Sequence, residues 1–421
     1  MVPIITMKIK DKVLSIRNMY KLSQRGLAAK MGDKYFSETH INDIESGVED
    51  GDGLEYFVMK FKEFLKKREG FDIPITEEDG RDYLKELDRW RSLIFAGDIN
   101  AAKELQPKLA RAAELSHEPY LKNMYDLVYA TFLRATRDMK PYDKLMLLLE
   151  ERAKDFDDLQ NYWYRRQLGA RERADYRSKS ALLHFLEAEK LYGRLNLTNH
   201  YGLYSGIGYS FREVGNIRKA VEYLRRARAD ASNVFRSEYF LDINMDLALC
   251  YGQLGRTDEA LEILNGHLRE EEAKTGNKLL LSVIHTRIGM VHSYTGDTDE
   301  ALKSFDTAFK YLEGPKKSIE HYIYNLCQKV SLLISKKMYD EANELISEGL
   351  SMTGYNKLWR VWLMAMKHSM TPEKQASRNY LKKTAVPMFL EYGEYSHVIK
   401  FSDSHDGYKH VIDFISRPQW W

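Results

Sequence analysis

The chain has 421 residues, 44% hydrophobic and 30% charged, with nine prolines and a formal net charge of +2. That length exceeds one ordinary core, so several domains or a repeat array is expected, and the composition excludes a disordered chain. Two distant cysteines, Cys250 and Cys327, exclude a disulfide scaffold, and neither a run of roughly 20 apolar residues nor a signal-peptide start is present, so a cytoplasmic location without membrane contact is expected.

Over residues 7–20, Ile9, Val13, Ile16 and Tyr20 recur at three- and four-residue intervals and predict an amphipathic helix. Ser23 then caps a short helix carrying Leu27, Ala28 and Met31, which stops at Gly32. Ser37 caps a third, with Ile41 and Ile44 on its buried face and Ser46-Gly47 at its end. A loop over 48–53 precedes an apolar helix over 54–65, and Pro74 among acidic residues marks 71–80 as a linker. The first 34 residues hold eight basic side chains against two acids, a local charge that suits either a phosphate backbone or a solvated helix face.

Beyond residue 80 the dominant feature is periodic. Ala181, Ala220, Ala260, Ala301 and Ala342 are spaced by 39, 40, 41 and 41 residues. Four residues after each comes a bulky apolar side chain: Phe185, Leu224, Leu264, Phe305 and Ile346. Five residues before it lies a turn position, held by Gly215, Gly255 and Gly296 in three units. Seven residues earlier again a small side chain recurs (Gly169, Gly208, Ala248, Gly289, with Val330 as the exception), which lets two helices of a hairpin approach closely. Gly97 to Ala102 fits the same pattern, the stretch 120–153 reads as a generic hairpin, and 359–383 as an eighth unit.

These features resemble the tetratricopeptide repeat, with a period near 40 rather than the usual 34 implying longer helices. The N-terminal residues Leu22-Ser23-Gln24, Leu27-Ala28, Met31-Gly32 and Ile41-x-x-Ile44-Glu45-Ser46-Gly47 resemble the helix-turn-helix of the phage repressor (Cro or Xre) class. That resemblance implies that Ser37, Glu38, Thr39 and Asn42 face bases, that Gln24, Arg25 and Lys34 face the DNA backbone, and that His40 lies at the edge. The turn after Gly32 is about three residues longer than the pattern, and Glu38, Asp43 and Glu45 make the recognition helix acidic.

The expected architecture is therefore all-α: a helix-turn-helix domain over 1–70, a linker over 71–80, a tetratricopeptide-like α-solenoid of right-handed superhelical form over 81–385, and capping helices over 386–421. Such a fusion resembles the RRNPP regulators of Gram-positive bacteria and their phages, which implies that the inner wall, built from the first helix of every hairpin, takes up a short signalling peptide in quorum sensing. The family's asparagine position falls here at Gln167, Gly206, Asp246, Arg287 and Gln328, with Asn244 and Asn325 close by, and other wall positions give Tyr209, Arg212, Gln253 and Tyr294.

The resemblance implies a homodimeric DNA-binding transcription regulator, with double-stranded operator DNA and a peptide as partners. The alternative is a protein-interaction scaffold, a Rap-like regulator whose N-terminal bundle grips a partner protein. No phosphate loop, Cys-x-x-Cys or His-Glu-x-x-His motif is present, so neither an enzyme nor a cofactor is expected. His405 and His410 with Asp403 and Asp406 have irregular spacing and read as a solvated loop rather than a metal site.

Overall fold

The computed structural model describes residues 4–32, 36–48, 50–195, 197, 201–232, 238–274, 276–313, 318–352, 357–371 and 374–392, and among these the only regular structure is helical. Four helices form the N-terminal bundle: α1 (Ile9–Met19), α2 (Gln24–Met31), α3 (Glu38–Ser46) and α4 (Gly51–Glu69). Hairpins follow: α5 (Glu77–Phe95) with α6 (Ile99–Ser116), α7 (Pro119–Ala135) with α8 (Met139–Arg152), and α9 (Asp158–Ala174) with α10 (Ser178–Tyr192). Next come α11 (Tyr201–Glu213) with α12 (Ile217–Ser232), α13 (Glu238–Gln253) with α14 (Thr257–Lys274), α15 (Lys278–Thr295) with α16 (Thr298–Leu312), and α17 (Ile319–Ser335) with α18 (Tyr339–Ser351). The described chain closes with α19 (Lys357–Ser369), α20 (Gln375–Tyr380), a π-helical turn over Leu381–Ala385, and α21 (Val386–Tyr392). By contacts the chain divides into two compact units, residues 1–167 and 168–421.

In the first unit the short helices start and stop where their caps dictate. Ser23 accepts from the Gly26 amide and Ser37 from the His40 amide, while Gly32 and Gly47 end α2 and α3 with φ of 70° and 75°. Val13, Ile16, Leu27, Ile41, Ile44 and Phe57 close around one core. Helix α4 is longer than its apolar run suggests, because Gly51 to Gly53, expected as loop, supply its first turn.

Residues 71–80, expected as a linker, are built into this core instead. Ile73 and Ile75 are buried in it together with Leu115 of α6, and Thr76 already caps α5 in a reciprocal pair with Asp79. Beside them the fully buried Lys12 of α1 donates to the Ile75 carbonyl at 3.0 Å and pairs with Glu118, the residue before α7, at 2.9 Å. Glu118 also accepts from the Thr6 amide and hydroxyl and the Met7 amide, just ahead of α1, which begins at Ile9 and not at Met7. Burial pushes the Glu118 carboxyl up, but the Thr6, Lys12 and Met7 hydrogen bonds outweigh it and leave its pKa below the ordinary value.

In the second unit the alanine register is realised side chain by side chain. Ala181, Ala220, Ala260, Ala301 and Ala342 are all fully buried. The bulky residue four positions on rests against the small residue of its own hairpin: a Cβ placed on Gly169, Gly208 or Gly289 would lie 2.8 Å from Phe185, 2.6 Å from Leu224 or 2.7 Å from Phe305. Phe185 also reaches the following hairpin, 2.8 Å from a Cβ on Gly206. At the turn position Gly215, Gly255 and Gly296 take φ of 86°, 75° and 84°, and Tyr176 and Lys337 occupy the same left-handed region at 60° and 62° without being glycine. The eighth unit departs from the pattern, since α19 is followed not by one regular second helix but by α20, the π turn and α21.

Gly208→Ala overpacks the Leu224 contact and should cost about 1–3 kcal/mol, whereas Gly266→Ala, with nothing within 4 Å in the middle of α14, should add about 0.5–1 kcal/mol; thermal unfolding of the two variants checks the opposite signs. Lys12→Met strands a buried carboxylate and should cost about 3–5 kcal/mol. Because the folded Glu118 pKa is depressed, its contribution in the native chain is complete above the unfolded value of about 4.3 and is lost as pH falls through the folded one, an acid limb that denaturant titration at stepped pH would record.

Candidate functional site: a lined cavity and a helix-turn-helix face

The inner helices of the second unit converge on a cavity of about 430 Å³, within the range of roughly 300–1,000 Å³ typical of ligand pockets. Helix α11 supplies Tyr209, Arg212 and Glu213; α13 supplies Gln253; α15 supplies Arg287, Met290, Ser293 and Tyr294; α17 supplies Tyr324, Gln328, Ser331, Leu332 and Ser335. Leu358, Trp359 and Trp362 of α19, Phe389 of α21 and Tyr176 from the α9–α10 turn complete the wall. The residues of one inner face arrive here because first helices repeat every 40 or so residues with the same side turned inward.

Six of the eight side chains expected to contact a peptide, Tyr209, Arg212, Gln253, Arg287, Tyr294 and Gln328, line this cavity. Asp246 stands just behind, 3.3 Å from Arg212. Gln167 is placed elsewhere: it is buried in the first unit, where its amide nitrogen donates to Thr131 Oγ1 at 2.5 Å and to the Leu127 carbonyl at 3.2 Å. Neither Asn244 nor Asn325 lines the cavity; Asn325 is fully buried between the Phe305 carbonyl and the Thr286 hydroxyl, at 3.0 Å from each.

The electrostatics of the two cavity arginines differ. Arg212 is buried and paired with Glu213 at 2.6 Å and Asp246 at 3.3 Å; burial opposes its charge, but the two carboxylates hold its pKa well above the usual value. Arg287 is met by Tyr324, whose hydroxyl lies 2.9 Å from Nη1, and by the Met290 sulfur at 3.9 Å. Opposite the charged side the wall is aromatic: Trp359 stacks on Trp362 at 5.4 Å and meets Tyr324 and Tyr176 edge-on at 6.0 and 5.5 Å. Gln253 and Tyr294, 3.3 Å apart, mark the solvent-exposed rim.

Tyr324 could have been inferred from Gln328, one turn away on α17. Phe389 and Tyr176 could not, because no periodicity states that α21 packs against α10. His285 and His292 are packing groups in neither a metal nor a catalytic cluster: His285 stacks on Tyr311 at 5.6 Å, and His292 lies 3.3 Å from Asp297. Among the described residues no group is placed to hold a metal ion, and His405, His410, Asp403 and Asp406 lie outside them.

In the helix-turn-helix, Arg25, Ser37, Glu38, Thr39 and Asn42 are exposed. Lys34 lies outside the described residues, as does the lengthened turn. Glu45 is not a free acid: Arg17 grips both its oxygens at 2.6 and 3.0 Å, and Gln24 donates to it at 2.8 Å. Gln24 is thereby tied to α3, and His40 is half-buried edge-on to Phe36 at 5.3 Å. The acidity of α3 at its surface thus comes from Glu38 and, half-buried, Asp43.

No family model matches the chain. The transcriptional activator NprA of Geobacillus stearothermophilus is 20% identical over 296 residues, which cover 66% of this chain and 70% of the relative. The solved structure of NprR in complex with its cognate peptide NprX matches with a TM-score of 0.65 at 19% identity, covering 79% of this chain and 99% of that one. A Rap protein complexed with competence and sporulation factor matches at 0.63 and 14% identity, covering 79% and 97%. The fold is accordingly that of all-α, tetratricopeptide-like repeat proteins. Within that class the chain shares its fold with NprR and the Rap protein. No described helix is long and apolar enough to cross a membrane.

Tyr176 holds a conformation that glycine would adopt freely, at a cost of roughly 1–2 kcal/mol, and its ring meets Trp359 in a contact worth about 0.5–1.5 kcal/mol. Tyr176→Gly should therefore leave the unfolding midpoint nearly unchanged while amide exchange over residues 357–369 quickens. A fall of many degrees would show that Tyr176 is a principal prop of the unit.

Proposed function

We propose that the chain is a transcriptional regulator that binds operator DNA through α2 and α3 and whose repeat cavity takes up a short peptide that modulates this binding. The observation that carries the reading is the convergence of polar and aromatic side chains from four successive first helices, α11, α13, α15 and α17, on one cavity. A polar wall on one side and tryptophans on the other suits an extended peptide, whose backbone needs hydrogen-bond partners and whose side chains need apolar pockets. The relatives supply the context: one is a transcriptional activator, and two structures were solved with peptide or factor bound.

On the DNA side, Arg25 is placed to meet a phosphate, and Ser37, Thr39 and Asn42 to meet base edges. Neutralisation of Glu45 by Arg17 removes one of the three acids that would repel the duplex. Paired operator half-sites call for two such heads, so the working form is a homodimer. Exposed Glu38 at the start of α3 favours a second reading, in which the same face grips a partner protein, as in Rap-like regulators.

A gel shift with the DNA upstream of the chain's own gene separates the two. Replacing Arg25 and Lys34 by alanine should weaken binding uniformly and reduce the slope of log affinity against log salt by about one for each phosphate that is no longer neutralised. Absence of any shift by the native protein at low salt would leave the partner-protein reading in place.

A further inference from the structure

Arg212 and Arg287 stand on the same wall but not in the same state. Arg212 has two carboxylates; among the described residues Arg287 has none, and no acidic side chain lies within ion-pair distance of it. A guanidinium carries five donors in a planar fork. Those of Arg287 that find protein partners do so through Nη1, to Tyr324 and Met290, and Tyr324 also places its ring 5.4 Å from the guanidinium; Nε, like that of Arg212, is shielded without an acceptor. What sets Arg287 apart is that its partly buried charge lines the cavity with no carboxylate beside it, and a carboxylate brought by a ligand would supply both the opposite charge and acceptors for the guanidinium donors that remain. The Tyr324 ring that touches Arg287 on one side is 6.0 Å from Trp359 on the other. Leu332, Leu358, Trp359, Trp362 and Phe389 give the cavity that Arg287 lines an apolar side.

We infer that the ligand presents a carboxylate to Arg287 and seats a bulky apolar side chain, from the same or the neighbouring residue, against Trp359 and Trp362. This rests on the reading of the cavity as a peptide site. The carboxylate is either the peptide's C-terminus or an aspartate or glutamate side chain, and both offer the same planar acceptor. Gln253 and Tyr294 at the rim and Gln328 on α17 then serve the rest of the backbone.

The test uses the full chain and two synthetic pools of random heptapeptides, one with free C-terminal acids and one with C-terminal amides; peptides retained by the protein are separated by gel filtration and sequenced by mass spectrometry. The native protein should retain peptides with a carboxylate next to an aromatic or large aliphatic residue. Retention from the acid pool alone assigns the C-terminus, and retention from both with Asp or Glu enriched at one position assigns a side chain. Arg287→Met should weaken the retained peptides at least roughly 30-fold, and Arg287→Lys, which keeps the charge but not the fork, should fall between. Without ligand, Arg287→Met should melt close to the native chain, because what it removes is one tyrosine hydrogen bond and ring contact and no ion pair. Carboxylate-free peptides retained equally well, an unchanged preference in Arg287→Met, or a marked loss of unliganded stability that Arg287→Lys restores would each overturn the inference while the peptide reading stands. Retention of no peptide from either pool would overturn both.

Discussion

Close approach of two helices within a hairpin is the constraint on which the second unit depends. Gly169, Gly208 and Gly289 leave no room for a methyl group against Phe185, Leu224 and Phe305, so the interaxial distance is set by the missing side chain and the filling by the large one. Because three of the five hairpins carry this contact at the same offset from the turn, and all five keep the buried alanine, successive hairpins are similar objects. Similar objects stacked with a fixed small rotation bring the same face of every first helix to one side, and a cavity wall follows without any element devoted to making it. Arg212, Gln253, Arg287 and Gln328 are gathered by arithmetic along the chain more than by any local motif.

Two buried polar networks hold the scaffold. Lys12 and Glu118 hold each other, the Ile75 carbonyl and the backbone of Thr6 and Met7, and Asn325 is used by Phe305 and Thr286. Such networks lock a packing geometry, since a displaced partner would leave a charge or amide stranded in low dielectric. In the cavity, Arg287 has Tyr324 and Met290 as partners and no carboxylate, whereas Arg212 has two.

Much of this is legible in the sequence, for identifiable reasons. Ser23, Ser37, Gly32 and Gly47 act through their own backbone neighbours, so the ends of α2 and α3 can be read from a few residues. The alanine register is repeated five times, and repetition converts a weak local pattern into a definite one. Counting back from each turn reaches Arg287 and Gln328, but the same count reaches Gln167, whose surroundings are Thr131 and Leu127 of α7 rather than the cavity. A register position names a face; what stands opposite that face is decided by another hairpin. The segment 71–80 misleads for a different reason, since Pro74 and its acids look like a tether while the alternation of Ile73 and Ile75, which marks burial, is only two residues long.

Closure of the cavity is the part that no local pattern could state. Phe389 and Trp359 lie near the end of the described chain, Tyr176 near the beginning of the second unit, and they meet because the rotations of all the intervening hairpins add up. A sum of that kind is sensitive to each of its terms: one hairpin with a longer turn or a bulkier residue at its glycine would displace α21 from α10 even though no residue of the cavity had changed. Tyr176 reflects the same dependence. At the turn where Gly215, Gly255 and Gly296 take a left-handed conformation without strain, a tyrosine takes it at a cost, and the return is a ring placed against Trp359. Strain accepted at one hairpin turn and offset in part by a contact 183 residues further along the chain ties the shape of the cavity to the register of every repeat between them.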